Sequence, residues 1–303
     1  MDSLNQSDAC DTAQVGIGNI MTNPNTKWPN GSRGAISVTF DNLGEAAELE
    51  LGMWDTNRPI GSHRSVTAVL PETLRLLDRI GITATFFVEA WNVDIYPDAI
   101  KRISSAGHEV GFHGWRHENW GNLDESTESS LFRRGKEAMR QLGVEPVGFR
   151  PPGGKLNRTT LNLMKESGFE YCSPAGIDPA DVRGIAILPF AWQWIDAYYY
   201  FEPFAEMRKQ RGDSESVLPP SRLREEMIRC VDGLVSRAGY TAILFHHFLE
   251  DDPERFAAMS EVLEYVKQAD KLWCAPCREV ADWILSKPND FAGDPGFDTT
   301  GWH

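Results

Sequence analysis

The chain has no run of about 20 apolar residues, so no segment reads as a membrane-spanning helix. It is poor in basic charge. Lys and Arg number 30 against 44 Asp and Glu, a formal charge of −14. No Lys/Arg cluster stands out, which argues against nucleic acid or an anionic membrane as a partner. Five cysteines in 303 residues are too few for a disulfide scaffold. The first sixteen residues have neither a basic region nor an apolar core, so no secretory signal is expected there and a cytoplasmic protein is. Internal repeats and Gly/Ser- or Pro-rich linkers are also missing. What is present is globular composition: 41% apolar, 24% charged and 11% aromatic residues.

Residues 1–33 are polar, with Asn, Pro, Gly and Ser scattered through them, and read as a loosely ordered arm. Order is expected to begin at 35–41 (AISVTFD), a β-branched and aromatic run that reads as a buried strand. Val66, Leu70, Leu74 and Leu77 then recur at helical spacing up to Gly81. The alternation continues. Strands are expected at 82–89, 108–113, 147–150, 169–173, 185–189 and 241–246, and helices at 97–106, 125–142, 159–167, 221–238 and 254–269. Such alternation implies parallel strands joined by helical crossovers. Seven strand candidates in about 250 residues suit one closed α/β barrel better than two domains. The expected organisation is an arm at 1–33, a barrel at 34–287 and an irregular acidic tail at 288–303.

In an α/β barrel the chemistry lies just beyond the C-terminal ends of the strands. Those ends carry Asp41, Asn42 and Glu45, then His113 and His117, Arg150, Trp194 and Asp196, and finally His246 and His247. His113 and His117, four residues apart, would share one face of a helical turn. Two imidazoles and a carboxylate make a three-ligand set for Zn²⁺. Asp41 directly follows an apolar strand. It could be a general base, a ligand, or only a loop or capping acid.

Four segments, T-F-D-N at 39–42, G-F-H-G-W-R-H at 111–117, R-P-P-G-G at 150–154 and L-F-H at 244–246, resemble the ordered motifs of the polysaccharide deacetylase superfamily (NodB homology, carbohydrate esterase family four). The resemblance covers about residues 35–285. It implies a distorted (β/α)7 barrel, TIM-like and of one domain, that removes an acyl group from nitrogen with a bound divalent metal, most often zinc, one per chain. It makes Asp41 the base, Arg150 the group that orients it, and His246 the general acid, protonated before it donates. His113 and His117 become metal ligands, and a backbone N–H near Gly153 supports the oxyanion. The family's usual second aspartate is replaced by Asn42, so the third ligand is Asn42 or Glu45, or the metal is dispensable. Gly114 stands for the usual Ser/Thr, and Gly153 for the usual aromatic. D-N-L-G-E at 41–45 and W-Q-W-I-D at 192–196 look more like the branch with allantoinases and cyclic-imide hydrolases. The expected substrate is therefore a small amide, ureide or imide, with an N-acyl sugar as the alternative. A metal-free barrel that binds a ligand without turnover is the reading from another class.

Other features have two readings each. Trp115, Trp120, Trp192 and Trp194 could stack on a cyclic substrate, with Trp115, Trp194 and Asp196 at the substrate side, or they could be core or oligomer contacts. Exposed aromatics and the family resemblance together suggest a homo-oligomer. Trp273–Cys277 (WCAPC) imitates a thioredoxin motif, but too few residues follow it for that fold, so two reduced thiols at a strand end are expected. His108 should lie at the opposite barrel end, and His247 should point away from His246. His63 is a secondary candidate. The Gly16–Gly18 pair precedes no strand–helix unit, which weakens a dinucleotide reading.

Overall fold

A computed structural model describes residues 27–298. The expected arm up to residue 26, with its Gly16–Gly18 pair, and the tail from 299 lie outside the described residues. Strand β1, Gly34–Asp41, is buried along its whole length. Its pairings organise the sheet. On one edge it runs parallel to β8, Tyr240–His246, over seven residue pairs. On the other edge its first half pairs with β9, Leu272–Cys274, and its second half with β2, Thr85–Val88. From β2 the parallel sheet continues through β3 (Glu109–Phe112), β4 (Gly148–Phe149) and β5 (Tyr171–Cys172) to β7 (Ile185–Ile187). The short β6, Ala180–Val182, runs antiparallel on the outside of β7.

Strands β1 to β5 with β7 and β8 therefore form seven parallel staves. No regular ladder joins β7 to β8. The chain after β7 bridges that gap, with Ala242 N–H donating to Pro189 O at 3.1 Å and an isolated bridge between Ile195 and Leu244. The sheet is thus a curled, incompletely closed barrel. The expected alternation is present, each element differing by a few residues at its ends. The antiparallel β6 and the short helices Ala46–Glu50, Asp196–Tyr200 and Ala205–Gln210 were not expected. Pro71 sits in the first turn of the α-helix Leu70–Ile80. The turn before it, Ser65–Val69, widens to a π-helix, which accommodates a residue with no N–H to donate.

The far end of the barrel is plugged. Glu109 accepts from Tyr171 Oη (2.8 Å), Thr85 Oγ1 (2.7 Å) and the Arg278 N–H (2.9 Å). Cys277 N–H donates to Thr85 Oγ1 at 2.8 Å, and both Cys274 and Cys277 are free thiols, as the WCAPC segment suggested. His108 lies at this end, where its Nδ1 accepts from Ala84 N–H. The arm expected to be loose ends on a buried anchor. Trp28 is 1% exposed, packs on Tyr240, Trp273 and Phe291, and donates to Ala238 O. Among the described residues no helix is long and apolar enough to cross a membrane. None of the nine described tryptophans is exposed, and Phe297 is the one exposed aromatic among the described residues.

Phe112 on β3 packs with Phe132, Phe149 and Phe169, and Trp120 caps the cluster. The helix Glu125–Gln141 reaches this core through Gly135, where an added Cβ would lie 2.2 Å from a Phe112 ring carbon. Gly135→Ala gains about 1 kcal/mol of helix propensity. It also overpacks the cluster, at a cost of about 1–3 kcal/mol. A net loss of stability by urea titration is the expected outcome, and a gain would show that this contact relaxes freely.

Candidate active site

The proposed residues converge because their strands end at one level. Asp41 and His246 are register partners on adjacent β1 and β8. Phe112 and Phe149 are partners on β3 and β4, so His113 and Arg150, each the next residue, share the level above them. Alternation then selects which side chains point inward. Thr39 and Asp41 face the interior, whereas Phe40 stacks outward on His247 and Phe86. His247 accordingly points away from His246, as expected.

Arg150 is 1% exposed and fully engaged. Its Nη1 donates to Asp41 Oδ1 and Thr39 Oγ1, both at 2.8 Å, and its Nε and Nη2 donate to Ser173 Oγ. Phe87 and Phe190 carry their rings 4.2 and 5.2 Å from the guanidinium carbon. Burial raises the Asp41 carboxyl above its ordinary range, and Arg150 opposes that shift. The other Asp41 oxygen is 3.7 Å from His113 Nε2.

His113 and His117 do come together, their rings 5.1 Å apart and close to perpendicular. A helical turn does not do it. Residues 113–119 form a loop in which Gly114 (φ 77°) and His117 (φ 74°) adopt left-handed conformations. Glu118 holds the loop, accepting from the N–H groups of Trp115 (2.9 Å) and Arg116 (3.0 Å). A Cβ at residue 114 would lie 2.7 Å from Glu118 Oε2 and 3.2 Å from Pro152, which accounts for glycine there.

His246 is positioned from behind. Its ring Nδ1 and its backbone N–H both donate to Asp196, each at 2.5 Å. Asp196 is completely buried and does not line the cavity, so the substrate contact expected of it is not what the structure places there. Burial holds His246 down at about 4, so at neutral pH the ring is uncharged and its Nε2 carries a lone pair. Behind Asp196 lies Glu250, 2% exposed, with no hydrogen-bond donor on either oxygen. Burial and the neighbouring Asp196 raise Glu250 well above the usual carboxyl range. Asp196 takes the N–H donors, so Glu250 holds the proton of this pair. Folding then binds a proton that the unfolded chain lacks above about pH 4.3, and this group makes stability fall as pH rises. Glu250→Gln supplies a neutral side chain of the same shape. It is expected to fold and to flatten the decline of stability between about pH 5 and pH 8. An unchanged slope in urea titrations would place the proton elsewhere.

The cavity above these groups is lined by Asp41, Asn42, His113, His117, Arg150, Gly153 and His246 on its polar side. Leu244, Phe248, Phe201, Phe204, Ile195, Phe190 and Trp192 form an apolar side, and Ala47, Leu51 and Met53 the rim. Glu48 is also at the rim, 3.1 Å from His63 Nε2. His63 thus touches the rim through Glu48 and does not line the cavity itself. Trp115 and Trp194 do not line the cavity. Trp115 lies under the Arg134 guanidinium and Trp194 near that of Arg237. Trp192 and Phe248 are the ring walls instead. Glu48, Phe248 and Glu250 were missed in the sequence; the spacing of Ala47, Glu48 and Leu51 was the signal for the rim helix.

The donors that could hold a divalent cation are His113, His117 and Asn42. Burial pushes His113 down to about 3 and His117 well below its usual value, so both imidazoles are neutral. His113 Nδ1 donates to Arg150 O at 2.9 Å, which leaves Nε2 as the donor atom. Asn42, at φ 59°, has a buried Oδ1 with no hydrogen-bond partner. A cation would satisfy that orphan. Glu45 cannot replace it. Its carboxylate is taken by the N–H of Gly61 and by Tyr96 Oη, and it does not line the cavity. No group of three His, Cys, Asp or Glu suited to a metal occurs among the described residues. The set fits a metal, but with two imidazoles and a neutral amide.

Fold and site together define an α/β half-barrel with paired acid–base groups at the C-terminal ends of its strands. Residues 29–172 match the family model for polysaccharide deacetylase. The peptidoglycan deacetylase of Helicobacter pylori is 30% identical over 103 residues, 34% of this chain and 35% of that protein. A peptidoglycan-N-acetylglucosamine deacetylase of Bacillus cereus is 35% identical over 101 residues, 33% of this chain and 47% of that one. The match therefore spans a third to a half of the length of these curated relatives. A Mycobacterium smegmatis structure assigned to the polysaccharide deacetylases superposes with a TM-score of 0.76 at 27% identity, covering 90% of this chain and 96% of that one. The PuuE allantoinase structure superposes at 0.70 with 21% identity over 92% and 99% of the two chains, a likeness of fold. The match to the polysaccharide deacetylase family model is confined to residues 29–172, while the likeness to the Mycobacterium smegmatis structure extends over nearly all of the chain.

Proposed function

We propose that the chain hydrolyses a carbon–nitrogen bond other than a peptide bond, in an N-acyl, ureide or imide group of a small molecule. The observation that carries this reading is the pairing of two anchored proton carriers. Asp41 held by Arg150 and His246 held by Asp196 are register partners facing one cavity. Asp41 takes the proton of the attacking water, and its raised proton affinity makes it a better base than an exposed carboxylate. The backbone N–H at Gly153, which lines the cavity at φ 72°, stabilises the developing oxyanion. His246, neutral at rest, takes up a proton during the reaction. Asp41 is its neighbour on the adjacent strand and the source of that proton. His246 then passes it to the leaving nitrogen, while Asp196 fixes the tautomer and balances the transient imidazolium. A divalent metal held by His113, His117 and Asn42 would polarise the substrate carbonyl and lower the pKa of water.

The apolar side of the cavity supports a small substrate with an acyl or cyclic hydrocarbon portion. A second reading, an N-acyl sugar, is supported by relatives named as peptidoglycan and chitin deacetylases. An amide panel that includes N-acetylglucosamine oligomers separates the two by product release. Within either reading His246→Ala should lower kcat by about 10²–10⁴-fold. The variant should keep its metal content, and unchanged turnover would remove His246 from the mechanism.

A further inference from the structure

A second cavity, of about 530 Å³, lies behind the catalytic loop. Its walls are the 154–158 segment, the helix Thr160–Glu166 and the β6–β7 hairpin. Gly154 is the one lining residue that it shares with the catalytic cavity. The partition there is tightly packed: a Cβ on Gly154 would sit 2.9 Å from Ala175 Cβ and 3.0 Å from Phe190 Cζ. The two spaces are therefore distinct.

The charge of this cavity opposes that of the chain. Acids outnumber bases 44 to 30 overall, yet Lys155, Arg158, Lys165 and Arg183 line the cavity against the single acid Asp298. Arg158, Lys165 and Arg183 form no ion pair among the described residues. Gathering unpaired cations around one concavity costs self-repulsion, and an anion would relieve it. The frame is also fixed in advance. Asn157 Nδ2 donates to Trp120 O, Leu123 O and Glu128 Oε1, which pins the loop carrying Lys155 and Arg158. Lys165 Nζ donates to Arg183 O at 2.9 Å and ties the helix to the hairpin tip. That tip is a left-handed turn (Arg183 φ 57°) closed by Gly184 N–H donating to Asp181 Oδ1. Leu161, Val182 and Ile185 supply an apolar floor that suits an organic body.

We propose that this cavity binds a small polyanion, an organic phosphate or a polycarboxylate, at one site per chain. The proposal does not depend on the reaction at the other cavity. The test is calorimetric titration of the full chain with pyrophosphate and, separately, with citrate, in buffer freed of metal ions by a chelating resin, at low ionic strength. Saturable binding below about 1 mM with one site per chain is expected. Arg183→Asn suits the left-handed turn and removes the charge, and Lys165→Gln removes a second one. Each should weaken binding about tenfold, while Lys101→Gln, on a distant helix, should leave it unchanged. Tighter pyrophosphate assigns the site to phosphates, and tighter citrate to carboxylates. No saturable binding of either anion, or equal weakening by Lys101→Gln, would overturn the proposal.

Discussion

Asp41→Asn is expected to lower kcat by about 10²–10⁴-fold while the protein stays folded. The amide oxygen can still accept the Arg150 bond that Oδ1 accepts at 2.8 Å, so the guanidinium keeps an acceptor. What disappears is the proton-accepting carboxylate, the group on β1 that faces the cavity. The same residue sets the acid side of the pH profile. Protonating Asp41 removes the base, and burial moves that event above the ordinary aspartate range. Activity in kcat/KM should therefore fall with acid at a pH above that of an exposed carboxylate. A variant with near-normal turnover, or an acid limb at or below the ordinary range, would contradict the role given to Asp41.

Arg150→Met should have the largest effect on stability, with activity lost as well. The residue is 1% exposed and donates to Asp41, Thr39 and Ser173. Removing it strands the Asp41 carboxylate and the Ser173 hydroxyl in the barrel interior, while Thr39 keeps its bond to Ile243 O. Breaking one side of a buried pair in this way costs about 3–5 kcal/mol. Asp41→Asn in the same chain removes the stranded charge, so the double variant should recover part of the loss. Urea titration of the two single variants and the double variant measures the coupling. A cost below about 1 kcal/mol for Arg150→Met would show that the pair is not a structural element of the barrel.

The sequence made the barrel legible where strands are long and apolar. The run at 35–41 and the run at 241–246 became β1 and β8, and their terminal Asp41 and His246 became register partners. His113 and Arg150 were legible because each follows its strand immediately, and His117 through its four-residue spacing from His113. The local geometry of the two histidines was not: their spacing suits a helix, and only the Gly114–Glu118 contact shows why a turn forms instead. Asp196 was found but misplaced. Its bond to His246 spans 50 residues, and nothing local in W-Q-W-I-D distinguishes a side chain facing the cavity from one behind it. Trp115 and Trp194 were misjudged for a related reason. Loop tryptophans are ready to stack on ligands, but here Arg134 and Arg237 lie against them. β6 is three residues long and antiparallel, too short to show a strand period of its own.

In the proposed reaction Asp41 and His246 deliver water to a carbon–nitrogen bond in one cavity. Mass spectrometry of reactions run in ¹⁸O-labelled water tests it most directly, with the amide, ureide, imide and N-acetyl sugar panel offered to the native chain and to Asp41→Asn in parallel. One labelled oxygen is expected in the acid released by the native chain, with a rate lower by about 10²-fold or more in the variant. Labelled product at equal rates from both proteins, or none from any substrate with the metal-loaded native chain, would contradict it.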